Sequence, residues 1–164
     1  MKCAISVNHQ QASYLWSKVT RKSNVLLSMA SMALLFAAPM VCAADLTVVV
    51  ENIQQDSGVV RVGLFNTESS FLKTVFKGAF APAMQREANG ALTLIFRDIE
   101  PGQYALSAYH DVNQDDKLNS NLMGLPTEPY GFSNNAQGQF GPPAFKDAVF
   151  HLPAQGATTY VRVK

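Results

Sequence analysis

Short runs of β-branched and apolar residues, each closed by a turn cluster and none followed by a helical repeat, narrow the folds open to this chain more than any other feature. Residues 46–53 read Leu-Thr-Val-Val-Val-Glu-Asn-Ile, side chains that lose little by being extended and pack well across a sheet. After the turn-forming residues 54–58, residues 59–66 alternate in part. Val60, Val62 and Leu64 share one face, and Val59, Arg61, Gly63 and Phe65 share the other. The short spacing predicts that these two strands pair as a hairpin. Residues 90–97 place Leu92, Leu94 and Phe96 together. Pro101-Gly102 then sets a tight turn, and 103–110 return with Tyr104, Leu106, Ala108 and His110 on one face. Two further strands are expected within 144–152 and 158–163, separated by the turn residues 153–156.

Segment 70–80 reads in two ways. Phe71, Leu72, Val75, Phe76 and Ala79 would share a helical face, yet Gly78 and Pro82 cut a helix short, and a turn followed by an irregular edge strand fits equally. Because no helical pattern follows each strand, the expected class is all-β: a single antiparallel β-sandwich of about seven strands, with a long ordered loop region at 111–143. That loop is longer than a compact domain usually carries, and such excess is often functional.

Charge divides the chain into two parts. Of 13 Lys/Arg, four (Lys2, Lys18, Arg21, Lys22) precede Asp45, and none of the 12 Asp/Glu do. Between them an apolar stretch spans 25–37, followed by Pro39 and small residues. This is the pattern of a Sec-type signal peptide over 1–44, with cleavage expected after Ala43 or Ala44 and a single domain over 45–164. A membrane anchor would need about 20 apolar residues and a following basic cluster. A lipidated Cys42 would need a Leu and small residues ahead of it, where Pro39-Met40-Val41 stand. The expected location is therefore the periplasm or the medium, with no transmembrane segment after processing.

Residues 45–164 carry 9 Lys/Arg against 12 Asp/Glu, a formal charge of −3, with the cations scattered singly. A partner rich in phosphate calls for a clustered basic surface, so nucleic acid is not an expected partner. Both cysteines, Cys3 and Cys42, fall in the leader, leaving the domain without a disulfide, a thiolate nucleophile or a cysteine metal ligand. Its stability must come from a packed core, which about 120 residues can supply.

The first half of the long loop has the rhythm of a calcium-binding turn. Asp111, Asn113 and Asp115 offer side-chain oxygens, Lys117 a backbone carbonyl, and Asn119 follows at the same step. Two positions depart from the pattern. Asp116 stands where the turn normally needs Gly, and Leu122 where a bidentate Glu would close the shell. A metal-free loop, in which Asp and Asn side chains cap their own backbone, uses the same residues. Calcium is the only cofactor this loop suggests.

The second half mixes four prolines with Tyr130, Phe132, Phe140 and Phe145 and the paired amides Asn134 and Asn135. Aromatic faces beside amides suit a sugar or a peptide, so Tyr130, Phe132, Asn134, Asn135 and Phe140 are the candidate ligand-binding residues. The same aromatics could instead plug the open end of a sandwich. His110 beside Asp111 invites a hydrolytic reading, with Ser107 or Ser133 as nucleophile. Neighbours along a strand point to opposite faces, however, and no nucleophile-elbow pattern is present. His151 reads as structural; two histidines after the leader exclude a three-histidine zinc site.

The runs 101–119 and 122–135, the Tyr-Gly-Phe-Ser-Asn-Asn at 130–135 within the latter, and the Phe-Gly-Pro-Pro at 140–143 together resemble the exported bacterial family catalogued as domain of unknown function 2141, over about residues 46–163. The resemblance implies a small periplasmic or secreted β-domain of Gram-negative bacteria, with a fold like the prealbumin-like or carboxypeptidase-regulatory-like sandwiches, and it carries no activity with it. Family members have Asn-Gly where this chain has Asp115-Asp116 and Asp where it has Asn119, departures that weaken a calcium site. The expectation is a non-enzymatic binding module of the envelope, a monomer or weak homo-oligomer, recognising a glycan or protein through 110–145. The alternatives are an assembly protein pairing through an exposed edge at 46–53, and a hydrolase using His110 and Asp111.

Overall fold

The computed structural model describes residues 43–164, which form two packed β-sheets. The expected leader, with Cys3 and Cys42, lies outside the described residues apart from Ala43 and Ala44. The strands are β1 (Ala44–Glu51), β2 (Val59–Phe65), β3 (Lys77–Pro82), β4 (Leu92–Ile99), β5 (Gly102–Asp111), β6 (Tyr130–Phe132), β7 (Phe150–Leu152) and β8 (Ala157–Arg162). One sheet has the order β4-β1-β8. The other runs β3-β2-β5-β6, with β7 pairing the first residues of β5 on the edge that β6 uses further along. The all-β sandwich expected from the sequence is the observed fold, with eight strands.

Alternation decides what lies between the sheets. Leu46, Val48 and Val50 of β1 and Leu92, Leu94 and Phe96 of β4 pack against Val60, Val62 and Leu64 of β2 and Tyr104, Leu106 and Ala108 of β5 in one buried cluster. Burying an aliphatic or aromatic side chain contributes about 1.5–3 kcal/mol, so this set carries most of the stabilisation. A second cluster lies on the other face of the larger sheet, where Phe65, Ala105 and Phe132 are joined by Phe71 and Ala148. Phe71 meets Phe65 edge-on at 5.3 Å and Phe145 at 5.6 Å.

Two local expectations are corrected, and the open choice over 70–80 is decided. Strands 46–53 and 59–66 do not pair. β1 lies between β4 (antiparallel) and β8 (parallel), and β2 lies between β3 and β5. Alternation fixes which face a strand buries and leaves its partner open; the connection carries the chain from one sheet to the other, with Asn52 at φ 69° and Ile53 bonded through its N–H to the Gly90 carbonyl. With both its edges paired, β1 also cannot serve as the exposed edge of an assembly protein. Within 144–152 the strand is confined to β7, because residues Phe145–Ala148 form one helical turn that inserts Ala148 into the second cluster. Of the two readings of 70–80, the turn and edge strand is the observed one. Ser70 accepts hydrogen bonds from the Lys73 and Thr74 N–H groups, and Leu72 at φ 58° stops a helix there before β3 begins.

Gly131 in β6 fixes how the second sheet closes over the end of β8. A Cβ at this position would overlap the Arg162 carbonyl oxygen and lie 2.9 Å from its carbon, contacts that only backbone movement could relieve. Gly131→Ala is expected to cost about 2 kcal/mol or more, a fall of roughly 8 °C in Tm. Thermal melting followed by circular dichroism checks this, and an unchanged melt would contradict the contact.

Candidate functional site

β5 ends at Asp111, and the alternation of the strand turns His110 toward the core side and Asp111 to the outer face, where β2 presents Arg61. The Asp111 side chain is wholly buried and its Oδ2 lies 2.8 Å from Arg61 Nε. The same carboxylate accepts the backbone N–H of Asp115 (3.2 Å) and Asp116 (3.0 Å), so it folds the start of the loop over itself. Arg61 also pairs with the Asp116 carboxylate, and the Tyr109 hydroxyl donates to the Asp116 carbonyl. Burial works against an ionised Asp111. The Arg61 hydrogen bond and the N–H groups of Asp116, Asp115 and Gln114 outweigh it and hold the carboxyl below its ordinary range. That same hydrogen bond is the main reason Arg61 is raised above its usual value.

A second carboxylate closes the far end. Glu128, buried, accepts the Val112 N–H at 2.9 Å and the Asn119 N–H at 3.0 Å. Asp115, between the two, accepts the Lys117 N–H and the side-chain amides of Asn113 and Asn119. The Asn119 amide, with smaller help from these other donors and the Lys117 charge, holds Asp115 low. Beyond Asn119 the chain makes a small hairpin. Ser120 bridges Pro126, and Asn121 Oδ1 accepts the N–H groups of Met123 and Leu125.

The structure therefore brings Asp111, Asn113, Asp115 and Asn119 into one bonded cluster. Asp116 adopts φ 67°, the conformation for which calcium loops use Gly, and short acidic side chains tolerate it better than most. Leu122 is fully exposed at the hairpin tip, and the carboxylate that faces the loop, Glu128, is engaged by the Val112 and Asn119 N–H groups. Asn119 Oδ1 is buried without a hydrogen-bond partner. The same amide bonds the Asp115 carboxylate through its NH₂ at 3.0 Å, while the Arg61 guanidinium already supplies a positive charge to Asp111 and Asp116. Among the described residues, no group of three or more His, Cys, Asp or Glu side chains is placed to hold a metal. Glu128 was not singled out from the sequence; its place two residues past the hairpin's bridge at Pro126 carries no local signature.

The hydrolytic pairing of His110 with Asp111 is not formed. His110 Nε2 lies 2.7 Å from the Ser57 carbonyl, whereas Asp111 bonds Arg61 from the opposite face of the strand. Ser133 is buried, accepting the Leu106 N–H at 2.8 Å and donating to the Ala148 carbonyl at 2.5 Å, so its hydroxyl joins β5 to the helical turn. His151 is exposed on β7.

The candidate ligand-binding residues have separate fates. Tyr130, Phe132 and Asn135 line a pocket of about 230 Å³ together with Gln137, Arg162 and Lys164. Phe132 is largely buried in the second cluster and supports Tyr130, whose ring it meets at 5.8 Å. Asn135 Oδ1 accepts the Arg162 N–H at 3.0 Å, leaving its amide NH₂ as the donor end. Asn134 lies outside the pocket lining and donates to the Asp147 and Val149 carbonyls from a left-handed backbone at φ 59°. Phe140 is fully exposed and also outside the lining. Arg162 and Lys164 were missed because only tertiary packing brings the end of the chain to β6, with the Tyr130 and Lys164 backbones exchanging two hydrogen bonds. No helix among the described residues is long and apolar enough to cross a membrane.

Residues 48–160 match the family model described as an uncharacterized protein conserved in bacteria, DUF2141, and the chain belongs to that family. No curated protein and no solved structure matches it.

The depressed Asp111 pKa gives a signed pH dependence. The stability it contributes is complete above the ordinary carboxylate value of about 4 and is lost as pH falls through the lower folded value. Asp111→Asn is expected to cost about 2 kcal/mol at pH 7, by leaving Arg61 without its buried partner, and to flatten the acid limb. Urea midpoints of both proteins between pH 7 and pH 3 check this; parallel curves would contradict it.

Proposed function

We propose that this DUF2141 member is an exported, non-enzymatic binding domain of the bacterial envelope, recognising a glycan through the 110–145 surface, with calcium pinning the 111–119 loop. The observation that carries the binding reading is the pocket beside β6, where an aromatic wall and amide groups converge at the place the sequence marks for recognition. The ordered connection that leads into β6 supports the same reading: both its ends are tied by buried carboxylates rather than left as a mobile linker. Export is supported by the basic and apolar pattern before Asp45. Ala44 is buried at the start of β1 and pairs with Ile99, so cleavage after Ala43 keeps that strand whole.

For calcium, the supporting observation is the unpartnered Asn119 Oδ1. Asn119, Asn113, Asp115 and the Lys117 carbonyl would hold the ion, with Asp111 and Glu128 behind them, and its role would be to fix the loop rather than to react. Assembly through a sheet edge is less well supported. With β1 enclosed, the candidate edge in the larger sheet is β3, which begins with Lys77 and ends with Pro82, residue types that discourage edge pairing.

Melting of the processed protein in chelator, then with about 1 mM calcium or magnesium, tests the metal. Binding to the folded state at 100 times Kd adds about 2.7 kcal/mol, so calcium alone is expected to raise Tm by several degrees. Asn119→Asp is expected to enlarge that shift. Equal effects of the two metals, or none, would leave the loop as a hydrogen-bonded turn and remove calcium from the account.

A further inference from the structure

The pocket beside β6 has a charge that the domain as a whole does not. Residues 45–164 are net acidic, with cations scattered singly, yet the side chains of the lining include Arg162 and Lys164 and none from Asp or Glu. Backbone contacts place both residues beside β6. The Arg162 N–H bonds Asn135 Oδ1, the Lys164 N–H bonds the Tyr130 carbonyl, and Val163 between them is wholly buried, so the flanking side chains project to the same outward side. Arg162 is only loosely engaged elsewhere, its Nε lying 3.7 Å from the half-buried Glu51 carboxylate, a long, partly solvated pairing that contributes little.

The rest of the lining is suited to a polar ring rather than a bare ion. Tyr130, braced by Phe132, gives an apolar face; the Asn135 NH₂ and Gln137 give hydrogen bonds for hydroxyl groups. The volume, about 230 Å³, is below that of pockets for drug-sized molecules and suits one small unit. The outer face also continues past Tyr130. Tyr109, Arg61 and Phe80 are its successive cross-strand neighbours on β5, β2 and β3, so a chain leaving the pocket has aromatic surface to run along.

We propose that the pocket takes the carboxylate-bearing ring of an acidic glycan, a hexuronic acid unit, with Arg162 and Lys164 on the carboxylate and Tyr130 against the ring. This rests on the glycan-binding reading above and adds the sign of the ligand's charge. Charge-assisted hydrogen bonds from Arg to carboxylate are the stronger kind, so the acid group supplies selectivity and the ring supplies orientation.

The test is a titration of the processed, ¹⁵N-labelled protein with glucuronate, with glucose as the neutral isostere and acetate as the bare carboxylate. It is read by NMR at the Gly131 amide and the Arg162 Nε–H. The expected result is a saturable shift with glucuronate, binding at least about tenfold weaker for glucose and for acetate, and an approximately tenfold loss in Arg162→Gln read at Gly131, with Tm unchanged. Equal binding of glucose and glucuronate would overturn the charge assignment and leave the glycan reading standing. Acetate as effective as glucuronate would overturn the sugar. No saturable shift with any of the three would overturn the pocket as a sugar site and the glycan reading with it.

Discussion

A carboxylate with no exposure to water has to be paired and hydrogen-bonded, or it would not stay ionised. Asp111 meets that condition through Arg61 on the neighbouring strand and two backbone N–H groups of the loop it introduces. The ion pair joins the centre of the larger sheet to the first turn of the long connection. Glu128 does the same from the other end, binding Val112 and Asn119. Two carboxylates thus satisfy backbone groups that a strand ladder would otherwise satisfy, and this is how residues 111–128 hold a shape with almost no regular secondary structure.

The outer face of the larger sheet supports the other half of the connection. Phe65, Phe71 and Phe132 form a base beneath Tyr130, and Ser133 ties β5 to the helical turn that closes it. The pocket is held by backbone, since Gly131 lies against the Arg162 carbonyl and Tyr130 exchanges hydrogen bonds with Lys164. A site built this way needs little rearrangement when a ligand arrives, which reduces the entropic cost of binding. The two halves meet at Tyr109 and Tyr130, register neighbours on β5 and β6.

Local pattern made the fold class legible. The inward faces of β2, β4 and β5 follow from period-two alternation alone, and the residues expected on them are the ones buried. Strand partners were not legible, because alternation says nothing about which sheet the next strand joins; the connection 52–58 changes sheets where a hairpin was the simpler expectation. In the loop, the Asp and Asn spacing correctly marked side chains that organise one turn. It could not show that Arg61, fifty residues earlier in the sequence, already supplies a positive charge there, nor that Glu128 ties the far end of the loop through Val112 and Asn119. Tyr130 and Asn135, which line the pocket, were singled out from composition. Arg162 and Lys164 were not, since isolated cations near a chain end carry no signal until β8 is placed beside β1.

Hydrogen exchange at single amides tests most directly whether the buried carboxylates hold the loop. In the wild-type protein the N–H groups of Val112, Asp115, Asp116 and Asn119 should exchange slowly, although they lie outside the strand ladders. In Arg61→Met, which removes the charge facing Asp111 and keeps an apolar stem, protection should fall at Asp115 and Asp116. It should persist at Leu94 and Leu106 in the sheets. Fast exchange of the loop amides in the wild type, or a variant in which they stay as protected as before, would contradict the account.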